Sequence, residues 1–231
     1  MTTPPGTLTQ HPHINQGTDE WHDARRGILT ASVIGRFVTP KTIKPANNET
    51  TRALTAELVA ERITGRTDPT FISDDMARGI EDEPRARDLY AERYAPVVEC
   101  GFMVRTGDDW KLGYSPDGLV GDDGLIEIKS RRPKKHLATI LANTVPSENL
   151  AQIQCGLLVS GRQWADYVSY CGGMPMWHQR VYPDKRWFDA ILTAAKAFEE
   201  TAAQMIATYE ASVAGLPETE YVPNNEVELV L

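Results

Sequence analysis

The stretch Gly113 to Lys129, GYSPDGLVGDDGLIEIK, constrains the fold more than any other part of the chain. Two short runs flank Gly121-Asp122-Asp123-Gly124, and an Asp-Gly turn between such runs is a strong hairpin signal. In the second run the period of two puts Leu125, Glu127 and Lys129 on one face and sends Ile126 and Ile128 the other way, into a core. Asp117 stands near the start of the neighbouring strand, so the hairpin brings its carboxylate beside that of Glu127. Two carboxylates and one amine then converge on a small volume.

Carboxylate and carbonyl oxygens suit a hard divalent cation such as Mg²⁺ or Mn²⁺. Such an ion polarises a phosphoryl oxygen and acidifies a bound water, and an adjacent ammonium orients that water or offsets developing charge. A lone Glu-x-Lys also suits an edge strand with alternating surface charges. The spacing Pro116-Asp117 to Glu127-x-Lys129 resembles the signature of the PD-(D/E)xK nuclease superfamily.

A chain of 231 residues suffices for one α/β domain. No apolar run approaches the roughly 18 residues of a membrane helix. Met1-Thr2-Thr3-Pro4-Pro5 lacks the basic and apolar regions of a signal peptide, and Cys100, Cys155 and Cys171 are odd in number and far apart. They make neither a disulfide framework nor a zinc site and suit a reducing cytosol. A net charge of −8 argues against a nucleic-acid binder until its distribution is considered. The last seventeen residues carry Glu218, Glu220, Glu226 and Glu228 with no Lys or Arg; without them the charge is −4. Lys129, Arg131, Arg132, Lys134 and Lys135 cluster directly after the Glu-x-Lys strand. They form either a solvated loop or a surface for a phosphate backbone.

Residues 1–17 lack periodicity and are expected to form a flexible tail. Next, a short helix places Trp21 and Arg25 on one face, and Gly27 ends it. Thr30 or Ser32 is expected to cap a second short helix, so that Arg25 and a hydroxyl-bearing helix start would cradle a phosphate; a pairing of Arg25 with a surface acid is the other reading.

Trp21-His22-x-x-Arg25-x-Gly27-x-x-Thr30-Ala31-Ser32, then Ser115-Pro116-Asp117-Gly118-Leu119, Glu127-x-Lys129 and Ala151-Gln152-Ile153-Gln154, resemble in order and spacing the phage lambda exonuclease and YqaJ-type viral recombinase family. The resemblance runs from about Asp19 to about Tyr209. It implies a single PD-(D/E)xK exonuclease domain over 18–214, α/β, with a restriction-endonuclease-like central mixed sheet flanked by helices, and an acidic tail over 215–231. It implies Mg²⁺-dependent 5′→3′ degradation of double-stranded DNA ends to mononucleotides, leaving a 3′ single strand. It also implies a ring-shaped homotrimer, a partner single-strand annealing recombinase and action in the cytoplasm of a bacterial host. Asp117 and Glu127 would hold the metal, with the Ile128 carbonyl as an extra ligand; Glu83, or Glu81 if the register slips, would help with a second ion. Lys129 and Gln154 would position the attacking water, and Arg25, Ser32 and Ser115 the 5′-terminal phosphate. Met76 falls where the family has an apolar wedge at the duplex end, although a core methionine fits equally. Lys41 and Lys44 lie in a loop that reaches toward DNA in the family, and Arg131 and Arg132 are further DNA candidates. Pro84 beside Glu83, and Arg78 where the family has an aromatic residue, depart from the pattern. A structure-dependent endonuclease of the same superfamily and a non-catalytic DNA-binding or assembly protein are the rival readings. Iron–sulfur relatives are set aside, because their cluster needs four cysteines and this chain has three.

The remaining elements follow from pattern. Thr51–Gly65 reads as a helix, as does a segment from Ser73 or Asp74 to Tyr90 in which Pro84 either kinks the helix or opens a new one. Val97–Lys129 reads as an antiparallel meander in one central sheet. A basic loop then leads to a helix capped by Ser147, two strands at 163–171 and 176–182 follow, and Asp184 caps a long final helix.

Overall fold

The computed structural model describes residues 4–68 and 72–222. In chain order the elements are β1 (Thr7–His11), α1 (Asp19–Arg25), β2 (Leu29–Thr30), β3 (Val38–Thr39), β4 (Lys44–Pro45), α2 (Glu49–Thr64), α3 (Asp74–Arg93), β5 (Val97–Val98), β6 (Phe102–Thr106), β7 (Lys111–Tyr114), β8 (Gly118–Val120), β9 (Gly124–Ser130), α4 (Pro133–Ala142), α5 (Ser147–Ser160), β10 (Trp164–Tyr170), β11 (Trp177–Val181) and α6 (Lys185–Ser212).

The expected hairpin is present: β8 and β9 pair antiparallel with Leu119 opposite Leu125. Beyond β9 the chain crosses over through α4 and α5 and returns as β10, parallel to β9, with Glu127 opposite Tyr167 and Lys129 opposite Ser169. β11 and β5 complete a five-stranded sheet in the order β11-β10-β9-β8-β5. This makes β9 an interior strand, covered on both faces. Leu125 points into the main core with Tyr167 and α5 residues, whereas Ile126 and Ile128 pack with Ala86 and Tyr90 of α3 in a second cluster.

The meander expected as one sheet is instead divided. β6 and β7 leave it and form a second, four-stranded sheet in the order β1-β6-β7-β2, with β2 parallel to β7. Ser115-Pro116-Asp117 carries the chain from one sheet to the other. Helix α5 touches both sheets and is buried over most of its length; Gly156 lies so close to the Tyr114 ring that an added Cβ would meet it at 2.7 Å.

Other expectations need correction. Residues 1–17 contain β1, which pairs antiparallel with β6 from Thr7↔Thr106 to His11↔Phe102. Its only large apolar side chain, Leu8, gives no period in the sequence; the pairing is supplied by β6. The basic run Lys134-Lys135 lies in the first turn of α4, not a loop: Pro133 stands at the first helical position, where its missing N–H costs nothing. No side-chain-capped helix follows Thr30 and Ser32. Thr30 ends β2, and a single 3₁₀ turn at Ile34–Arg36 follows Val33 without a side-chain cap. Ser147 begins α5 from within, with Pro146 at the cap position. Helix α3 runs unbroken through Pro84, which only deprives the Ile80 carbonyl of its helical partner. Asn48, Ser73 and Asp184 cap α2, α3 and α6 with side-chain oxygens. Of the acidic stretch 215–231, Glu226 and Glu228 lie outside the described residues. No described helix is long and apolar enough to cross a membrane.

Candidate active site

Three residues of the hairpin meet where the two sheets diverge. Glu127 is fully buried, and both its oxygens are engaged: Lys129 Nζ donates to Oε1 at 2.6 Å and the Tyr114 hydroxyl donates to Oε2 at 3.2 Å. Asp117 Oδ2 accepts the Ile128 N–H at 2.6 Å, which ties the β8 lead to β9. Asp117 Oδ1 has no hydrogen-bond partner among the described residues, and Asp117 lines a cleft of about 1140 Å³. In an extended strand the N–H and C=O of a residue point to the same edge, so the Ile128 carbonyl faces the side on which Asp117 lies.

The electrostatics follow from burial. Burial, and then the Glu127 charge, push the Asp117 carboxyl well above the usual carboxylate range. Burial also raises Glu83 on α3, against the pull of Arg87, with Glu127 adding to the rise. Burial alone would lower Lys129, but Glu127 and Asp117 outweigh it and hold the ammonium above its ordinary value. Burial and the two carboxylates likewise raise Tyr114. A buried carboxyl pushed up beside a second carboxylate, with a free oxygen on a cleft, is a setting that a hard cation relieves. The donor set is small: among the described residues no three His, Cys, Asp or Glu side chains are gathered as a ready-made metal cage. Glu83 lines the same cleft, and its Oε1 accepts from Arg87 at 2.6 Å.

Arg25 lines the same cleft; its Nη1 donates to Ser115 Oγ at 2.8 Å and its Nη2 donates to Ser32 Oγ at 3.3 Å. The guanidinium lies 3.9 Å from the Trp21 ring centroid, and the Trp21 indole donates to the same Ser115 hydroxyl at 2.9 Å. The Thr30 hydroxyl is 3.0 Å from that of Ser32. Burial holds Arg25 down at about 10, while Glu61 pulls it upward. A charged guanidinium flanked by three hydroxyls suits an anionic group of phosphate size. Arg25 thus pairs with hydroxyls rather than with a surface acid. Ser115, one residue before Pro116-Asp117, links the two ends of the cleft covalently.

The structure places the remaining candidates as follows. Met76 is 47% exposed on the cleft wall; Ile72 and Ile80 flank it on the same wall, at 58% and 64% exposed. Lys41 is exposed in the turn between β3 and β4. Arg132 is exposed and paired with Asp75 at 2.7 Å, and Arg131 donates to Asn149 and to the Tyr167 hydroxyl. Gln154 makes no hydrogen bond to the carboxylates among the described residues. Its amide nitrogen donates to the Tyr182 carbonyl and its oxygen accepts the Asp184 N–H, both at 2.9 Å, so it fastens α5 to the start of α6. Sequence reasoning missed Tyr114, whose position immediately before Ser115-Pro116-Asp117 was the available signal, and Arg87, one helical turn beyond Glu83.

LHK-Exo, an alkaline exonuclease from Laribacter hongkongensis, is 33% identical with a TM-score of 0.76, over 87% of this chain and 100% of that one. The same values hold for LHK-Exo in complex with dAMP. A phage-related exonuclease from Haemophilus somnus 129PT shares the fold at 12% identity and a TM-score of 0.60, over 79% and 96% of the two chains. No curated protein sequence matches. The mixed α/β fold is the restriction-endonuclease-like one expected from the sequence. Residues 20–163, which contain Arg25, Ser115, Asp117, Glu127 and Lys129, match the model of the YqaJ-like viral recombinase domain. The chain belongs to the YqaJ-like viral recombinase domain family.

Proposed function

We propose that this protein is a Mg²⁺-dependent exonuclease that degrades double-stranded DNA from 5′ ends and releases 5′-mononucleotides, leaving a 3′ single strand. One observation carries the reading. A single cleft is lined by Asp117 and Glu83 and by Arg25; the buried Glu127–Lys129 pair lies beside Asp117, and the Arg25 guanidinium is tied to the Ser115 and Ser32 hydroxyls. An endonuclease has no need of a cradle for a terminal phosphate. A non-catalytic DNA-binding protein has no need of an ammonium 2.6 Å from a buried carboxylate. The likeness to LHK-Exo, named an alkaline exonuclease and also solved with the mononucleotide dAMP, supports the same activity.

Asp117, Glu127 and the Ile128 carbonyl would hold Mg²⁺ or Mn²⁺, with Glu83 serving a second ion. Bound there, the cation supplies Lewis-acid polarisation of the phosphoryl oxygen and acidifies water. The chain's own residues do the rest. Lys129 holds its charge beside Glu127, where it can orient the attacking water and offset charge on the phosphorus oxygens. Tyr114 fixes the second Glu127 oxygen. Arg25, Ser115 and Ser32 bind the terminal phosphate and set which phosphodiester reaches the carboxylates. Met76, with Ile72 and Ile80, offers an apolar wall against which the unpaired bases can rest. Arg131 and Arg132 contact the backbone beyond the cleft, and Lys41 extends that surface. Gln154 acts through the α5–α6 junction rather than on water.

A ring-shaped homotrimer and a single-strand annealing partner complete the proposal, as the family resemblance implies. Sedimentation with and without duplex DNA reads the first, and co-purification with a candidate annealing protein the second. For the activity itself, a 5′-phosphorylated linear duplex and a closed circle of the same sequence are incubated with Mg²⁺. Mononucleotides from the linear substrate and an intact circle are expected. Equal cleavage of both would replace the exonuclease with an endonuclease.

A further inference from the structure

Helix α1 carries Arg25 in its last turn and is only partly buried, so packing of the helix alone fixes that side chain weakly. The fixing contacts come two residues later. Gly27 adopts φ +64°, a left-handed conformation that favours glycine. Its N–H donates to Glu61 Oε2 at 2.7 Å, and its carbonyl accepts from Arg62 Nε at 2.7 Å. The two gripping residues are neighbours on α2. Arg62 is itself held: its Nη1 and Nη2 donate to the two oxygens of Glu199 on α6 at 2.7 and 2.8 Å, and its guanidinium lies 5.0 Å from the Phe198 ring centroid. The fit is close, since a Cβ on Gly27 would come within 2.4 Å of Arg62 Cγ. Ser115, Ser32 and Trp21 orient the tip of Arg25; this grip sets its base.

We propose that Glu61 and Arg62 are positioning residues for recognition of the DNA end, acting through the Gly27 peptide to place Arg25. The proposal rests on the reading of Arg25 as the terminal-phosphate ligand. Glu61 has a second effect. Its carboxylate lies close enough to Arg25 to act on its charge, and it opposes an incoming phosphate. Removing the side chain and removing only its charge therefore have different consequences.

The test compares kcat and KM on one linear duplex bearing either a 5′-phosphate or a 5′-hydroxyl, alongside melting temperatures. Arg62→Ala and Glu61→Ala are each expected to lower the phosphate-over-hydroxyl ratio of kcat/KM by about threefold to tenfold, the scale of one hydrogen bond. The loss falls on KM for the phosphorylated end, with kcat on hydroxyl ends unchanged. Glu61→Gln keeps an oxygen for the Gly27 N–H and loses the opposing charge, so its ratio stays level or rises. The double Ala variant falls less than the product of the singles, because both act on one peptide. Glu61→Ala and Glu61→Gln both lack the charge and differ in the acceptor for the Gly27 N–H, so equal ratios in the two, whatever their melting temperatures, overturn the proposal; if Arg62→Ala does not fold, this Glu61 pair decides alone. The underlying reading fails differently: wild-type protein would then show no preference for phosphorylated ends, or Arg25→Ala would leave that preference unchanged.

Discussion

The two ends of the cleft are built in different ways. The carboxylate end is local: Asp117, Glu127, Lys129 and Tyr114 span sixteen residues of one strand–turn–strand run, and the pleat of β9 and its pairing with β8 place them. The phosphate end is assembled from afar. Arg25 on a short exposed helix meets Ser115 across ninety positions of sequence, and its helix is steadied by α2 and α6. The local end is buried and held by the sheet. The assembled end depends on side-chain hydrogen bonds and one gripped glycine. Damage to the first should therefore abolish chemistry, whereas damage to the second should blur end recognition while cleavage continues.

The sharpest contrast is between Asp117→Ala and Arg25→Ala. Loss of Asp117 would remove the proposed metal ligand and with it several kcal/mol of transition-state stabilisation, an expected fall of about a thousandfold or more in rate with duplex binding retained. Retained cleavage would move the chemistry elsewhere in the cleft. Arg25→Ala should cost about tenfold to a hundredfold in discrimination between 5′-phosphate and 5′-hydroxyl ends, the scale of a charge-assisted contact of about 1.5–3 kcal/mol. If the rate on hydroxyl ends fell as far, the two ends would not be separable as described.

Gln154 gives a third way to break the contrast. Leaving the Tyr182 carbonyl and Asp184 N–H without their amide should destabilise Gln154→Ala by about 1–3 kcal/mol, read by denaturant titration. Its rate on folded protein should stay near wild type. A thousandfold loss of rate without a change in stability would return this residue to the water-positioning role expected from sequence. Tyr114→Phe should be milder, at about threefold to tenfold in kcat, since it removes one hydrogen bond from a carboxylate that keeps Lys129.

The smallest effect is one of pH. The guanidinium of Arg25 is charged below a pKa held at about 10 by burial. Preference for phosphorylated ends is therefore present through neutral pH and declines as pH rises through about 10. A preference already lost at pH 8 would contradict the assignment of Arg25.

How much was legible in sequence follows the same division. A period of two, an Asp-Gly turn and a charged pair in an apolar strand sufficed to place Glu127 and Lys129, because those relations are fixed within a few residues. The two strands that became β10 and β11 and the cap of α6 at Asp184 were equally readable. Arg25 and Trp21 could be assigned to one helix face, yet only the fold brings Ser115 between them. The division of the meander into two sheets was hidden, because Ser115-Pro116-Asp117 reads as a turn within one sheet as well as a passage between two. β1 was hidden for another reason: its pairing comes from β6, and its own five residues carry one inward apolar side chain. The partners of Gln154, the Tyr182 carbonyl and the Asp184 N–H, were not legible in sequence. Both glutamines of Ala151-Gln152-Ile153-Gln154 lie on a helix, and which one faces a given neighbour is set by how α5 rotates against β7 and α6.

The central claim is that a divalent cation held by Asp117 and Glu127 drives cleavage from a DNA end. Its most direct test is digestion of a 5′-phosphorylated linear duplex by wild-type and Asp117→Ala protein, each with Mg²⁺ and with chelator in its place. The account predicts mononucleotide release only from wild-type protein with Mg²⁺. Release that survives chelation, or that persists in Asp117→Ala with Mg²⁺, would contradict it.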